Sequence, residues 1–127
     1  MRLAVVLTAL TFLAPMPAFA KPKHKTAGWL RMEATAYCAR GTTDSGEQTR
    51  RGSVAADPRL IPLGSTIRVR GMKGVRDGAF TVLDSGRGIK GHEIDVFVPH
   101  CAAAKKFGRQ DVSVRVIKRT TSGVAKR

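Results

Sequence analysis

A chain of 127 residues with 43% hydrophobic side chains can build one modest core and is too short for two. Its net charge of +14, from 23 Lys and Arg against nine Asp and Glu, favours polyanions: acidic wall polymer, anionic lipid or nucleic acid. Aromatics make up only 6%, which leaves no platform for stacking bases, so no nucleic-acid partner is expected.

Residues 1–20 read as an export signal. Met1-Arg2 supplies a positive start, Leu3 to Ala14 is apolar apart from Thr8 and Thr11, and Pro15 and Pro17 precede the small-x-small site Ala18-Phe19-Ala20. The apolar run is too short to span a bilayer and nothing later is a candidate, so no transmembrane segment is expected after cleavage. Export points to the periplasm or to the extracellular cell wall. Residues 21–32 form a basic, proline-broken tail (Lys21-Pro22-Lys23-His24-Lys25) leading into the first strand.

Six strands are expected next. Trp29 to Tyr37 places Leu30, Met32, Ala34 and Ala36 on one period-2 face. Ser53 to Ala56 is short and apolar and stops at Asp57-Pro58. Thr66 to Arg70 alternates Ile67 and Val69 with Arg68 and Arg70. Ala79 to Leu83 is a continuous apolar-leaning run, as for a fully buried strand. Glu93 to Val98 sets Ile94, Val96 and Val98 against Glu93, Asp95 and Phe97, and Val112 to Lys118 repeats the pattern. A short helix is expected over His100 to Phe107, entered through Pro99 and stopped by Gly108. Residues 119–127 form a second flexible basic tail. Six strands and one helix argue for a mainly β, mostly antiparallel barrel; a monomer is expected.

Two cysteines, Cys38 and Cys101, stand in a chain sent to an oxidising compartment and are expected to pair; two free thiols are the alternative. Neither sits in a Cys-x-x-Cys pair and there are three histidines, so no metal is expected.

Acids are scarce, which makes their placement informative. Asp84 ends a buried strand at a glycine-rich loop, and Asp95 lies inside the next strand. A strand, loop and returning strand can bring two such carboxyls to one surface, where one is kept protonated. Glycosidic cleavage needs a protonated acid at the leaving oxygen. The plainer alternative has Asp84 capping a turn and Asp95 pairing with a surface cation.

The order of motifs carries more. Val54-Ala55-Ala56-Asp57-Pro58-x-x-Ile61-Pro62-Leu63-Gly64, Leu83-Asp84-Ser85-Gly86-x-x-Ile89-Lys90-Gly91 and Ile94-Asp95-Val96 resemble the 3D domain family, named for three aspartates. Ala34-Thr35-Ala36-Tyr37 and Ala104-x-x-Phe107-Gly108 extend the likeness over residues 33–118. The family is similar to the C-terminal part of MltA-type lytic transglycosylases and to stationary-phase survival proteins. The resemblance implies a six-stranded double-psi β-barrel of the barwin and expansin kind, crossed by a glycan-binding cleft. It implies Asp95 as the catalytic acid with Asp84 beside it. Thr35, Tyr37, Asp57 and Lys90 follow as substrate-contact candidates, Asp57 also serving its turn. The implied activity is peptidoglycan lytic transglycosylation: cleavage of the MurNAc-GlcNAc bond through a single aspartate, with a 1,6-anhydro ring as product and no cofactor. A non-catalytic, expansin-like glycan-binding module is the competing expectation. Ser85 stands where the family usually has threonine. Arg87 stands where it has glycine, placing a cation beside Asp84.

Overall fold

In the computed structural model, which describes residues 12–16 and 28–120, six strands close into a barrel in the order β1-β5-β2-β4-β3-β6. They are β1 (Leu30–Tyr37), β2 (Ser53–Ala56), β3 (Thr66–Arg70), β4 (Gly78–Asp84), β5 (Glu93–Phe97) and β6 (Gln110–Lys118), and helix α1 (Cys101–Phe107) precedes β6. The expected export signal lies outside the described residues except for 12–16, as do most of the two basic tails. No helix among the described residues is long and apolar enough to cross a membrane.

Alternation explains why these segments are strands of a closed wall. Ile67 and Val69 of β3, Val112, Val114 and Val116 of β6, and Ile94 and Val96 of β5 turn inward and are buried. Each such side chain contributes about 1.5–3 kcal/mol by leaving water. Arg68, Arg70 and Ile117 point out on the same strands and stay exposed. Closure between β1 and β6, with Leu30 opposite Val114, leaves the sheet without a free edge.

Two pairings are parallel, β1 with β5 and β2 with β4, and the other four are antiparallel. The result is the expected double-psi β-barrel. The expectation of a mostly antiparallel barrel holds; which two pairings are parallel leaves no mark on alternation. One expectation fails in detail. β4 is not buried throughout: Phe80, Val82 and Leu83 are buried while Ala79, near its start, is exposed.

Helix α1 seals one end by burying Ala104 and Phe107, and it ends at Gly108, whose φ of +61° suits a residue without Cβ. Its first residue, Cys101, forms the expected disulfide with Cys38 just past β1. The bridge fixes the helix to the strand that carries Thr35 and Tyr37.

Candidate active site

The two aspartates meet through Ala55. In the β2–β4 pairing Ala55 lies opposite Asp84, and in the β2–β5 pairing the same residue lies opposite Asp95. Strict alternation would not allow this. Val82 faces the core opposite Val54, so its successor Leu83 would pair with Ala55 and Asp84 would turn inward. A register shift between Val54 and Ala55 makes Leu83 the extra residue and swings Asp84 to the outer face. The two carboxyls therefore flank the smallest available side chain, about two strand spacings (~9.6 Å) apart at their Cα atoms.

Asp95 faces outward between the core residues Ile94 and Val96, yet it is half-buried. Burial pushes its carboxyl above the ordinary range, a hydrogen bond from Thr35 opposes the shift, and the charge of Glu93 reinforces it. Thr35 lies directly across the parallel β1–β5 pairing, and its hydroxyl donates to Asp95 Oδ1 at 3.1 Å. Glu93 reaches Asp95 because residues two apart on a strand share a face. Asp84 is not among the groups that move Asp95.

A groove of about 320 Å³ runs over this surface, lined by Tyr37, Arg40, Thr42 and Thr49 and floored by Ala55, Asp84, Gly86 and Asp95. The Tyr37 hydroxyl is buried here without a hydrogen-bond partner. Burial raises its pKa, and the charges of Asp84 and Asp95 add to the effect, so it is a neutral phenol. Ser53 lies near it, but the Ser53 hydroxyl donates to the Arg50 carbonyl at 2.7 Å and forms no bond with Tyr37. A buried hydroxyl left unpaired costs about 1–3 kcal/mol, which a ligand oxygen would relieve only once the groove opens enough to reach it. Arg40 packs over Phe97, 5.8 Å from the ring centroid, and brings a cation to the rim.

Asp57 is committed elsewhere. Its carboxylate is buried and accepts from Arg59 Nη2 at 2.7 Å, from Arg59 Nε and backbone N at 3.0 Å, and from Gly91 N at 2.8 Å. The Arg59 guanidinium foremost, then the two amides, holds it well below the usual carboxylate range. The bond to Gly91 pins the loop between β4 and β5 to the end of β2. Gly86 fixes the same loop from within: its φ is +54°, and a Cβ there would stand 2.6 Å from Ile89 Cγ1 and 3.1 Å from Ala55 Cβ. Among the described residues, no three His, Cys, Asp or Glu side chains converge as a metal site requires.

Residues 52–118 match the 3D domain family. The chain belongs to that family. Over 97 residues it is 39% identical to the "Cell wall-binding protein YocH" of Bacillus subtilis, which covers 69% of this chain and 32% of that protein. Among solved structures, E. coli MltA with bound chitohexaose superimposes with a TM-score of 0.53 at 23% identity, over 65% of this chain and 29% of that one. The lytic transglycosylase LtgG of Burkholderia pseudomallei gives 0.55 at 19% identity, over 64% and 27%. At these identities the structural likeness is one of fold. The chain spans about a third or less of the length of these relatives.

The three aspartates of this 3D domain thus sit in two settings. Asp95 and Asp84 share the groove with Tyr37, and Thr35 hydrogen-bonds Asp95 from the neighbouring strand β1. Asp57 closes a loop, and Lys90 is exposed outside the groove lining. Arg87 is exposed too, and its charge acts on Asp44. Asp44 was not legible as a site residue. It lies in the loop after β1, where Oδ2 accepts from the backbone N of Ser85 at 3.3 Å and also from the Ser85 hydroxyl. The Ser85 hydroxyl, with the Asp84 carboxyl next in effect, holds Asp44 below its ordinary pKa. Ser45 N adds a bond to Leu83 O at 3.0 Å, so one loop clasps the bulge on both sides. The sequence signal was the Thr42 to Gly46 cluster of turn formers, which names a loop but not its destination.

Proposed function

We propose that this 3D domain works outside the cytoplasm on the cell wall, as a peptidoglycan lytic transglycosylase with Asp95 as its acid and base. The observation that carries the reading is a half-buried carboxyl, raised in pKa, in a groove that also holds an unpartnered tyrosine hydroxyl and a second carboxyl. Protonated Asp95 donates to the oxygen linking MurNAc to GlcNAc as that bond breaks. The resulting carboxylate takes the proton from the muramic C6 hydroxyl, whose oxygen attacks the anomeric carbon and closes a 1,6-anhydro ring. One carboxyl serves both steps because the nucleophile belongs to the substrate, unlike the paired carboxyls of ordinary glycosidases. Thr35 holds Asp95 toward the groove, the Tyr37 phenol offers a hydrogen bond to a sugar oxygen, and Asp84 supplies negative charge near the developing cation.

A second reading, glycan binding without cleavage, is favoured by the likeness to the Bacillus relative, a cell wall-binding protein. The two readings separate on one measurement. Purified protein is incubated with peptidoglycan sacculi and the released material weighed by mass spectrometry. Anhydro-muramic ends support the transglycosylase; products heavier by one water indicate a hydrolase; binding to sacculi with no release supports the module.

A further inference from the structure

One patch of the outer wall is lined by cations without an acid among them. Arg68 of β3 lies directly opposite Arg115 of β6, a like-charge pair that opposes strand association. Arg70, two residues along on the same outer face, packs its guanidinium 4.2 Å from the centroid of Trp29. Together Trp29, Arg68, Arg70, Arg115 and Ile117 line a shallow depression of about 310 Å³ without a single acidic side chain. Among the described residues none of the three arginines forms an ion pair. The undescribed segments contain no Asp or Glu that could supply one. Asp111 lines an adjoining depression with Trp29 and Arg70, where it pairs with Arg31 at 3.2 Å.

We infer that this arginine face is a docking surface for a linear, phosphodiester-linked anionic polymer of the cell envelope. Arg68 and Arg70 repeat along β3 at about 6.8 Å, the i to i+2 spacing of a strand, which suits successive phosphates of an extended chain better than a lone anion. Guanidinium groups bind phosphate through two parallel N–H donors, and Trp29 holds one of them in place. A stability cost accepted on the strand pairing is recovered when the polymer neutralises both arginines. The choice of an envelope polymer over nucleic acid rests on the cell-wall reading above; the surface itself does not. It lies on β3 and β6, neither of which lines the groove, although β3 is hydrogen-bonded to β4.

Trp29 is the chain's one tryptophan, so its fluorescence reports on this surface alone. The full chain is titrated with poly(glycerol phosphate), following Trp29 emission. A saturable change is expected, with log affinity falling against log salt at a slope of about −2 for three contacts. Arg68→Gln/Arg70→Gln/Arg115→Gln should weaken binding on the order of 30-fold and flatten the slope. Arg51→Gln/Lys105→Gln/Lys106→Gln removes as much charge elsewhere and should change affinity less than threefold. Asp95→Asn should bind the polymer as the parent does. Equal losses in the two triple variants, or no response of Trp29, overturn the surface. Single-stranded DNA or anionic phosphatidylglycerol vesicles binding as tightly overturn the polymer. Polymer binding without any action on sacculi leaves the surface standing and removes only the transglycosylase.

Discussion

Thr35 and Asp95 are partners twice over: they are paired residues of the parallel β1–β5 ladder, and the Thr35 hydroxyl donates to Asp95 Oδ1 at 3.1 Å. A hydrogen bond to the ionised form favours ionisation, whereas burial and the charge of Glu93 favour the acid. The acid form must exist for Asp95 to protonate a leaving oxygen, so activity is lost as pH rises through its pKa. Thr35→Val should move that alkaline limb to higher pH, and Glu93→Gln should move it to lower pH. Rates of muropeptide release across pH test this; shifts in the same direction would disprove the assignment of Asp95.

Asp95→Asn keeps the shape of the side chain and removes its proton chemistry. Turnover on sacculi should fall by about 10²–10⁴-fold, the worth of general acid–base catalysis, while glycan co-sedimentation is retained. Full activity in this variant would exclude Asp95 as the acid.

Tyr37 offers a cleaner separation of stability from function. Its hydroxyl is buried and unpaired, so Tyr37→Phe should leave the folded protein as stable or up to about 1 kcal/mol more so. Glycan binding should weaken by about tenfold for the lost hydrogen bond. Thermal melts and binding isotherms on one preparation decide it, and a variant both less stable and fully binding would refute the role.

Asp57 makes the opposite prediction. Its folded pKa lies below the unfolded value, so its stabilisation is complete above the ordinary carboxylate range, near pH 4, and disappears as pH falls through the folded pKa. Asp57→Asn should lower the denaturant midpoint at pH 7, and the gap between variant and parent should narrow on acidification. A gap independent of pH would mean that shape rather than charge holds the loop.

The Cys38–Cys101 bridge spans 63 residues. The chain-entropy treatment values such a loop at about 4 kcal/mol. Cys38→Ser/Cys101→Ser should lose roughly that in equilibrium unfolding, with loss of the groove if α1 and the end of β1 part company.

Strand positions were legible because a closed wall has one wet and one dry side, and valine and isoleucine record it residue by residue. The disulfide was legible from compartment and count, and the family from motif order. Three things were not. Parallel pairing leaves the same alternation as antiparallel pairing. The bulge at Leu83 of β4, which delivers Asp84 to the groove, shows only in the register of β4 against β2. Asp44 lies 40 residues before Asp84 in a loop with no periodicity, and only the folded path joins them. Glu93, by contrast, could be placed beside Asp95 from strand geometry alone.

The order of strands around the barrel has a bearing on the life history of the molecule. β1, the first strand of the barrel, finds its neighbours only in β5 and β6, the last two strands. Neither Thr35 nor the disulfide can engage until β5 and the helix have arrived, and the wall stays open until β6 inserts. Contacts of such long sequence separation fold slowly. A partly synthesised domain therefore carries the groove's residues without the groove, and the site stays unassembled until β5 and β6 are in place.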